Sequence, residues 1–202
     1  MRSALLLVAA LVGAFGCGSK DADPPATGSN TPREEAQFDA ERRPDLIVAA
    51  LGIGPGSRVA DIGAGSGLLT VYLARAVAPN GKVIATDTNK EVLGMLERRL
   101  TRAGLASVVE GRAVDPDKPG LEDGLYDAIL LSEVDHFFSD QVKWLHDVTP
   151  ALKPGGRIVI ANRIHHRAQA MDAAGKAGLV LQSETSPVPT HYIAVFTVKG
   201  TK

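Results

Sequence analysis

The sequence predicts an α/β fold: a three-layer sandwich with helices on both faces of a mostly parallel, seven-stranded sheet carrying an antiparallel edge strand. Three observations predict it. From Arg33 onwards, short apolar runs alternate with segments of helical spacing, the order expected of parallel strands joined by helical crossovers. The strand segments (VADI, KVIAT, YDAILL, RIVIA) are almost continuously apolar, as strands covered on both faces are. The last two strand segments follow one another with only a turn between them, containing Pro187 and Pro189, so they should pair antiparallel at one edge.

Residues 1–16 read as a secretory leader, 17–32 as a flexible tether and 33–202 as the folded domain. Arg2 gives the leader a positive start, and residues 4–15 are an uncharged apolar run. That run is too short to span a bilayer and suits the central region of an export signal. Ala14 and Gly16 place small residues three and one positions before Cys17, the one cysteine. This arrangement resembles a bacterial lipoprotein signal, which implies a lipid on Cys17 and an exported protein held at the membrane. An ordinary signal-peptidase cut before Cys17 is the alternative. A single cysteine excludes an internal disulfide, so stability must come from the core. Residues 18–32 are Gly, Ser, Pro and Asp with little apolar content, too few apolar groups to offset the entropy of ordering.

Within the domain, residues 33–51 form an entry helix with Leu46, Ile47, Ala50 and Leu51 facing the core and Pro44 starting a new turn; Gly52, Gly54, Pro55 and Gly56 stop it. Strands are expected at 58–62, 82–86, about 107–111, 126–131, 157–161, 179–184 and 191–198. Helices are expected from the end of the glycine loop to about 78, and at 89–103, 139–151 and 167–177. Val92, Leu93, Leu96 and Leu100 carry the helical spacing of the second of these, and Pro154-Gly155-Gly156 turns into the strand at 157–161.

Composition narrows the partners. The hydrophobic fraction is 45%, the charged fraction 22% and the formal net charge −1. A neutral chain without a basic block has no general attraction to nucleic acid, so no nucleic acid is expected as a partner. The histidines and acids show no metal-ligand spacing, and one Cys excludes a thiolate cluster. His165-His166 and His191-Tyr192 sit at strand boundaries, and the histidines read as solvated surface residues.

The chemistry concentrates in Gly63-Ala64-Gly65-Ser66-Gly67, directly between a strand and a helix. Glycines there allow positive φ and close approach of a ligand to the backbone, and the helix N-terminus beyond offers free N–H groups. The dinucleotide fingerprint G-x-G-x-x-G would need glycine at 68, where this chain has Leu68; an NAD-dependent oxidoreductase is weakened accordingly. Asp87 closes KVIATD twenty positions after Gly67, where a carboxylate can accept ribose hydroxyls. A helix-capping carboxylate is the other reading of that position.

With Asp61 in front, the string D-x-G-x-G-x-G resembles motif I of the class I S-adenosylmethionine-dependent methyltransferases. LKPGGR at 152–157 resembles the turn before that family's fifth strand and YDAILLSEVDHF at 126–137 its fourth, so the resemblance covers about residues 40–199. It implies a Rossmann-like fold and S-adenosylmethionine as cofactor, held by Asp61, Gly63, Ala64, Gly65, Gly67, Asp87 and Thr88. Asp115 is the candidate for the adenine-contacting acid after strand three, or else an Asp-Pro turn residue. Glu133 and His136, beyond strand four, are the candidate catalytic residues on the side of a small-molecule acceptor. His136 would serve as general base, or be a loop histidine without a role. The family's asparagine–proline motif for amino methylation is absent. Because S-adenosylmethionine is made in the cytoplasm, an exported non-catalytic scaffold keeping the fold is the alternative function.

Overall fold

The computed structural model describes residues 32–200. The leader, Cys17 and the tether as far as residue 31 lie outside the described residues. In chain order the elements are α1 (Pro32–Arg42), α2 (Pro44–Leu51), β1 (Arg58–Ile62), α3 (Leu68–Val77), β2 (Lys82–Asp87), α4 (Lys90–Arg102), β3 (Val109–Ala113), β4 (Tyr126–Ser132), α5 (Gln141–Val148), β5 (Leu152–Arg163), α6 (Arg167–Lys176), β6 (Leu179–Val188) and β7 (His191–Val198).

The seven strands form one sheet in the order β3-β2-β1-β4-β5-β7-β6. β3, β2, β1, β4 and β5 run parallel, and β7 runs antiparallel to both β5 and β6. The antiparallel pair at one end of the sheet is as expected, with β7 taking the inner place. Its residues 191–196 are all buried, whereas β6 exposes most of its length. A strand buried on both faces belongs inside and a half-wet one at the edge.

Two apolar clusters make the three layers. Ile47 and Leu51 of α2, Leu73 and Val77 of α3, and Leu93, Leu96 and Leu100 of α4 pack on one face of the sheet. Trp144, Leu145 and Val148 of α5, with Ala170, Ala173 and Ala174 of α6, pack on the other. Helix starts follow local chemistry: Asn89 caps α4 by accepting from the Glu91 and Val92 N–H groups, and Asp140 caps α5 by accepting from Lys143.

Several boundaries differ from expectation, among them the end of β6, which runs to Val188 rather than 184, and α5, which is Gln141–Val148 rather than 139–151. The entry helix is two helices, broken at Arg43 with φ 49°, because Pro44 cannot continue the hydrogen-bond ladder. β3 begins at Val109, since residues 106–108 form a single 3₁₀ turn after α4. β5 extends back through Leu152, and its register with β4 shifts between the Tyr126 and Ala128 pairs. The extra residues Lys153–Gly156 form a bulge rather than a free turn, and a Cβ on Gly156 would stand 2.9 Å from the Lys153 carbonyl oxygen and 3.0 Å from that of Tyr126.

Strand order reverses between β1 and β4, whose carboxyl ends carry the glycine loop and Glu133. Open α/β sheets bind ligands at such a switch point.

Candidate functional site

Two cavities flank the end of β1. The larger, about 410 Å³, is lined by Thr86, Asp87 and Thr88 from β2, Val114 after β3, Val134, Phe137 and Phe138 after β4, and Trp144 of α5. The smaller, about 330 Å³, is lined by Phe38 and Arg42 of α1, Asp61, the loop 63–66, Ser132 and Glu133. Gly63 and Glu133 belong to both walls. Each volume is on the scale of a small-molecule site.

The loop between the cavities needs its glycines for three separate reasons. Gly63, Gly65 and Gly67 all have positive φ, at 67°, 57° and 82°. A Cβ on Gly63 would stand 2.6 Å from Val134 Cγ2, so that glycine lets β1 and the segment after β4 close on each other. A Cβ on Gly67 would stand 2.9 Å from Leu96 Cγ; this glycine is buried and seats α3 against α4, and it lines neither cavity. A Cβ on Gly65 would meet nothing within 4 Å, which leaves its backbone open to a ligand in the smaller cavity.

Asp87 organises this loop. Its Oδ2 accepts from the Gly65 N–H at 2.9 Å and its Oδ1 from the Asn89 N–H at 2.9 Å, while the Ala64 N–H donates to the Thr86 carbonyl at 2.9 Å. Each carboxylate oxygen retains a second acceptor position, so Asp87 can hold the loop and accept from a ribose in the larger cavity together. The cap of α4 falls to Asn89 rather than to Asp87.

Asp61 is 2% exposed and accepts from the Thr70 hydroxyl at 2.7 Å. Burial pushes its carboxyl up to about 7, the Thr70 hydrogen bond opposing and the charge of Asp87 adding. The folded protein therefore keeps a proton on Asp61 at pH values where the unfolded chain, with its ordinary value of 3.8, has lost it. Stability from this group declines as pH rises from about 4 to about 7, and the full penalty applies above that. Asp61→Asn cannot ionise, so it is expected to gain about 2–4 kcal/mol relative to the wild type across this window, read by urea unfolding at successive pH values. A pH-independent difference between the two proteins would mean that Asp61 is ionised in the fold.

Glu133 sits in the left-handed region at φ 50°, a strained place for a side chain. Its carboxylate is held by Arg42 Nη2 at 2.6 Å, His191 Nε2 at 2.8 Å and Arg163 Nε at 3.5 Å. It is a structural anchor between α1, β5 and β7. Two further links tie α1 to the domain, Glu35 to Arg99 at 2.5 Å and Asp39 to the Tyr72 hydroxyl at 2.6 Å. His191 is 6% exposed, which corrects its reading as a solvated histidine: the inner position of β7 buries it along with Tyr192.

His136 lines neither cavity. Its ring stacks on His166 at 4.0 Å, and its Nδ1 lies 3.0 Å from Asn162 Nδ2. The orientation of that amide is set by two further bonds: Asn162 Oδ1 accepts from the Arg163 N–H at 2.7 Å, and Nδ2 donates to buried Asp135 at 2.6 Å. Nδ1 of His136 must then be an acceptor and the ring proton must lie on Nε2. The ring thus presents a donor at Nε2, the opposite of what a general base offers.

Asp115 also lies outside the walls. It is exposed and paired with Lys118 at 2.8 Å, leaving Val114, Pro116 and Lys118 to face the larger cavity. Sequence reasoning missed Arg42, His191, Phe38 and Trp144, none of which belongs to a motif. Among the described residues, no group of three or more His, Cys, Asp and Glu is placed to hold a metal ion.

Comparison with known proteins agrees with this geometry. Residues 60–160 match the protein family described as methyltransferase domain. Among curated proteins, the ubiquinone/menaquinone biosynthesis C-methyltransferase of Vibrio cholerae is 31% identical over 109 residues, 54% of this chain and 42% of that protein. The corresponding protein of Proteus mirabilis is 30% identical over 113 residues, 56% of this chain and 45% of that one. This chain thus spans less than half the length of these relatives in the matched region. Among solved structures, a SAM-dependent methyltransferase from Aquifex aeolicus superposes with a TM-score of 0.73 at 19% identity, over 83% of this chain and 98% of that one. A SAM-dependent O-methyltransferase from Thermotoga maritima gives 0.63 at 23% identity, over 86% and 68%.

Proposed function

The chain belongs to the methyltransferase-domain family, and from that premise we propose that it transfers the methyl group of S-adenosylmethionine to a small-molecule acceptor that brings its own nucleophilic electron pair. The observation that carries this reading is the meeting of the two cavities at Gly63 and Glu133. The open face of Gly65 and the free acceptor positions of Asp87 both fit a nucleoside-bearing ligand. Thr86, Asp87, Thr88 and Val114 would hold its nucleoside, and Asp61 with the loop 63–66 its amino-acid end.

When bound, S-adenosylmethionine supplies a methyl group already activated on sulfonium, so the protein needs to orient the acceptor and exclude water more than to drive chemistry. Orientation of this kind is worth about 7–11 kcal/mol in favourable cases. Phe38 and Arg42 of α1, with exposed Phe137, stand around the opening where an acceptor would enter. Glu133 is engaged by three basic side chains and His136 presents a donor. These placements favour an acceptor that needs no base from the protein. The C-methyltransferase name of the curated relatives supports an electron-rich carbon, whose displaced proton would pass to water once the carbon–methyl bond has formed.

Calorimetric titration with S-adenosylhomocysteine is expected to show one site per chain with micromolar affinity, about −8 kcal/mol. Absence of heat at high micromolar ligand, with the protein folded by circular dichroism, would remove the proposal.

A further inference from the structure

A third cavity, about 310 Å³, lies between α1, α3 and α4 and shares only Leu68 with the walls of the two cavities at the end of β1. Its wall holds three guanidinium groups, of Arg75 on α3 and of Arg99 and Arg102 on α4, against two carboxylates, of Glu35 and Asp39 on α1. Both acids are engaged within the wall. Glu35 takes Arg99 Nη1 at 2.5 Å, and Asp39 accepts from the Tyr72 hydroxyl at 2.6 Å. Among the described residues, the side chains of Arg75 and Arg102 have neither an ion pair nor a hydrogen bond. All three arginines lie in the last turn of their helix, where the helix dipole favours a cation. The dipole accounts for their places along each helix and not for their convergence on one concave wall, where like charges repel.

We propose that this cavity binds a small organic phosphate, at a site separate from the methyl-transfer centre and independent of the S-adenosylmethionine reading. A guanidinium presents a planar fork of donors that matches phosphate oxygens. A terminal phosphate has three such oxygens, enough to meet Arg75 and Arg102 together, whereas a carboxylate has two. Arg99 is already held in place: its side chain is 12% exposed, and its Nε donates to the Ser66 carbonyl at 2.9 Å. Leu68, Val71 and the Tyr72 ring give the same wall an apolar part. The cavity is larger than a phosphate alone requires and reaches the scale of small-molecule sites, so the organic body of the ester has a place beside its charge.

Calorimetric titration with phenyl phosphate is expected to show one site per chain, with benzoate bound about fivefold more weakly for want of a third oxygen. Arg75→Ala and Arg102→Ala are each expected to weaken phenyl phosphate about tenfold, the scale of one hydrogen bond to a charged group. Arg98→Ala is the charge control: it removes the same charge from α4 outside the wall and is expected to bind as the wild type does. All three positions are exposed, so the variants are expected to fold, which circular dichroism checks.

Vesicles of phosphatidylcholine with and without phosphatidate distinguish the sources of such a phosphate. Sedimentation with the phosphatidate vesicles alone, reversed by phenyl phosphate, assigns a lipid headgroup; no sedimentation, with phenyl phosphate bound in solution, assigns a free ester. No heat at millimolar phenyl phosphate, equal affinity in the three variants, or benzoate bound as tightly as phenyl phosphate overturns the assignment.

Discussion

Asp87→Ala is expected to weaken S-adenosylhomocysteine binding by about 10²-fold or more, the largest loss of affinity from any single side chain in the site. The carboxylate has two tasks at once. It accepts from the Gly65 and Asn89 N–H groups at 2.9 Å each, and it lines the larger cavity with acceptor positions to spare. Hydrogen bonds to a charged group are worth about 1.5–3 kcal/mol each, and each 1.4 kcal/mol is a factor of ten. Loss of the ribose contact together with relaxation of the Gly65 amide therefore exceeds a hundredfold. Because Asp87 is only half-buried, stability should fall by no more than about 1–2 kcal/mol. Asp87→Asn keeps one acceptor oxygen and should lose less. Calorimetry with thermal melts separates the two quantities; an affinity within threefold of wild type would show that neither task matters to binding.

Gly63→Ala is expected to be the most destabilising change in the loop, by about 2–5 kcal/mol. A residue with a Cβ at φ 67° costs about 1–2 kcal/mol. Contact at 2.6 Å with Val134 Cγ2 adds about 1–3 kcal/mol of overpacking. The two parts are separable by a second substitution. Val134→Gly removes both atoms that would be struck, Cγ2 at 2.6 Å and Cβ at 2.9 Å, and leaves the dihedral cost, so the double variant is expected to recover about half of the loss. That non-additivity, measured by urea unfolding of the four proteins, is the sign of direct contact. Strict additivity would place the whole cost in the dihedral.

How much of this was legible in the sequence depends on whether a feature is local. β1, β2 and β4 read correctly because each is an apolar run bounded by turn residues. β3 was placed two residues early because Glu110 and Arg112 on a half-wet edge strand dilute the apolar signal. The glycine loop was legible since positive φ demands glycine, and Asp87 by its spacing from it. The ties of Glu133 to Arg42, Arg163 and His191 join four segments distant in the chain, and no local pattern encodes them. His191 resembled a surface histidine because a hairpin reveals that two strands pair and not which of them lies inside. Asp115 occupies the expected place in sequence, but Lys118 three residues on offers it a nearer partner than the cavity does. The proton position on His136 depends on an amide oriented by Asp135 and a backbone N–H, which only coordinates reveal.

Two of the three ties of α1 are ion pairs, and they differ in how far solvent reaches them. Glu35, near its start, has a side chain 44% exposed against 12% for its partner Arg99, whereas Arg42 and Glu133, at its end, are 19% and 16% exposed. Dissolved ions weaken exposed pairs far more than sheltered ones. Rising ionic strength therefore loosens the Glu35 pair before the Arg42–Glu133 pair, while the Tyr72 hydroxyl bond to Asp39 does not depend on a pair of opposite charges. The apolar walls of the cavities do not share that sensitivity. Salt thus acts on admission to the site before it acts on the shape of the site.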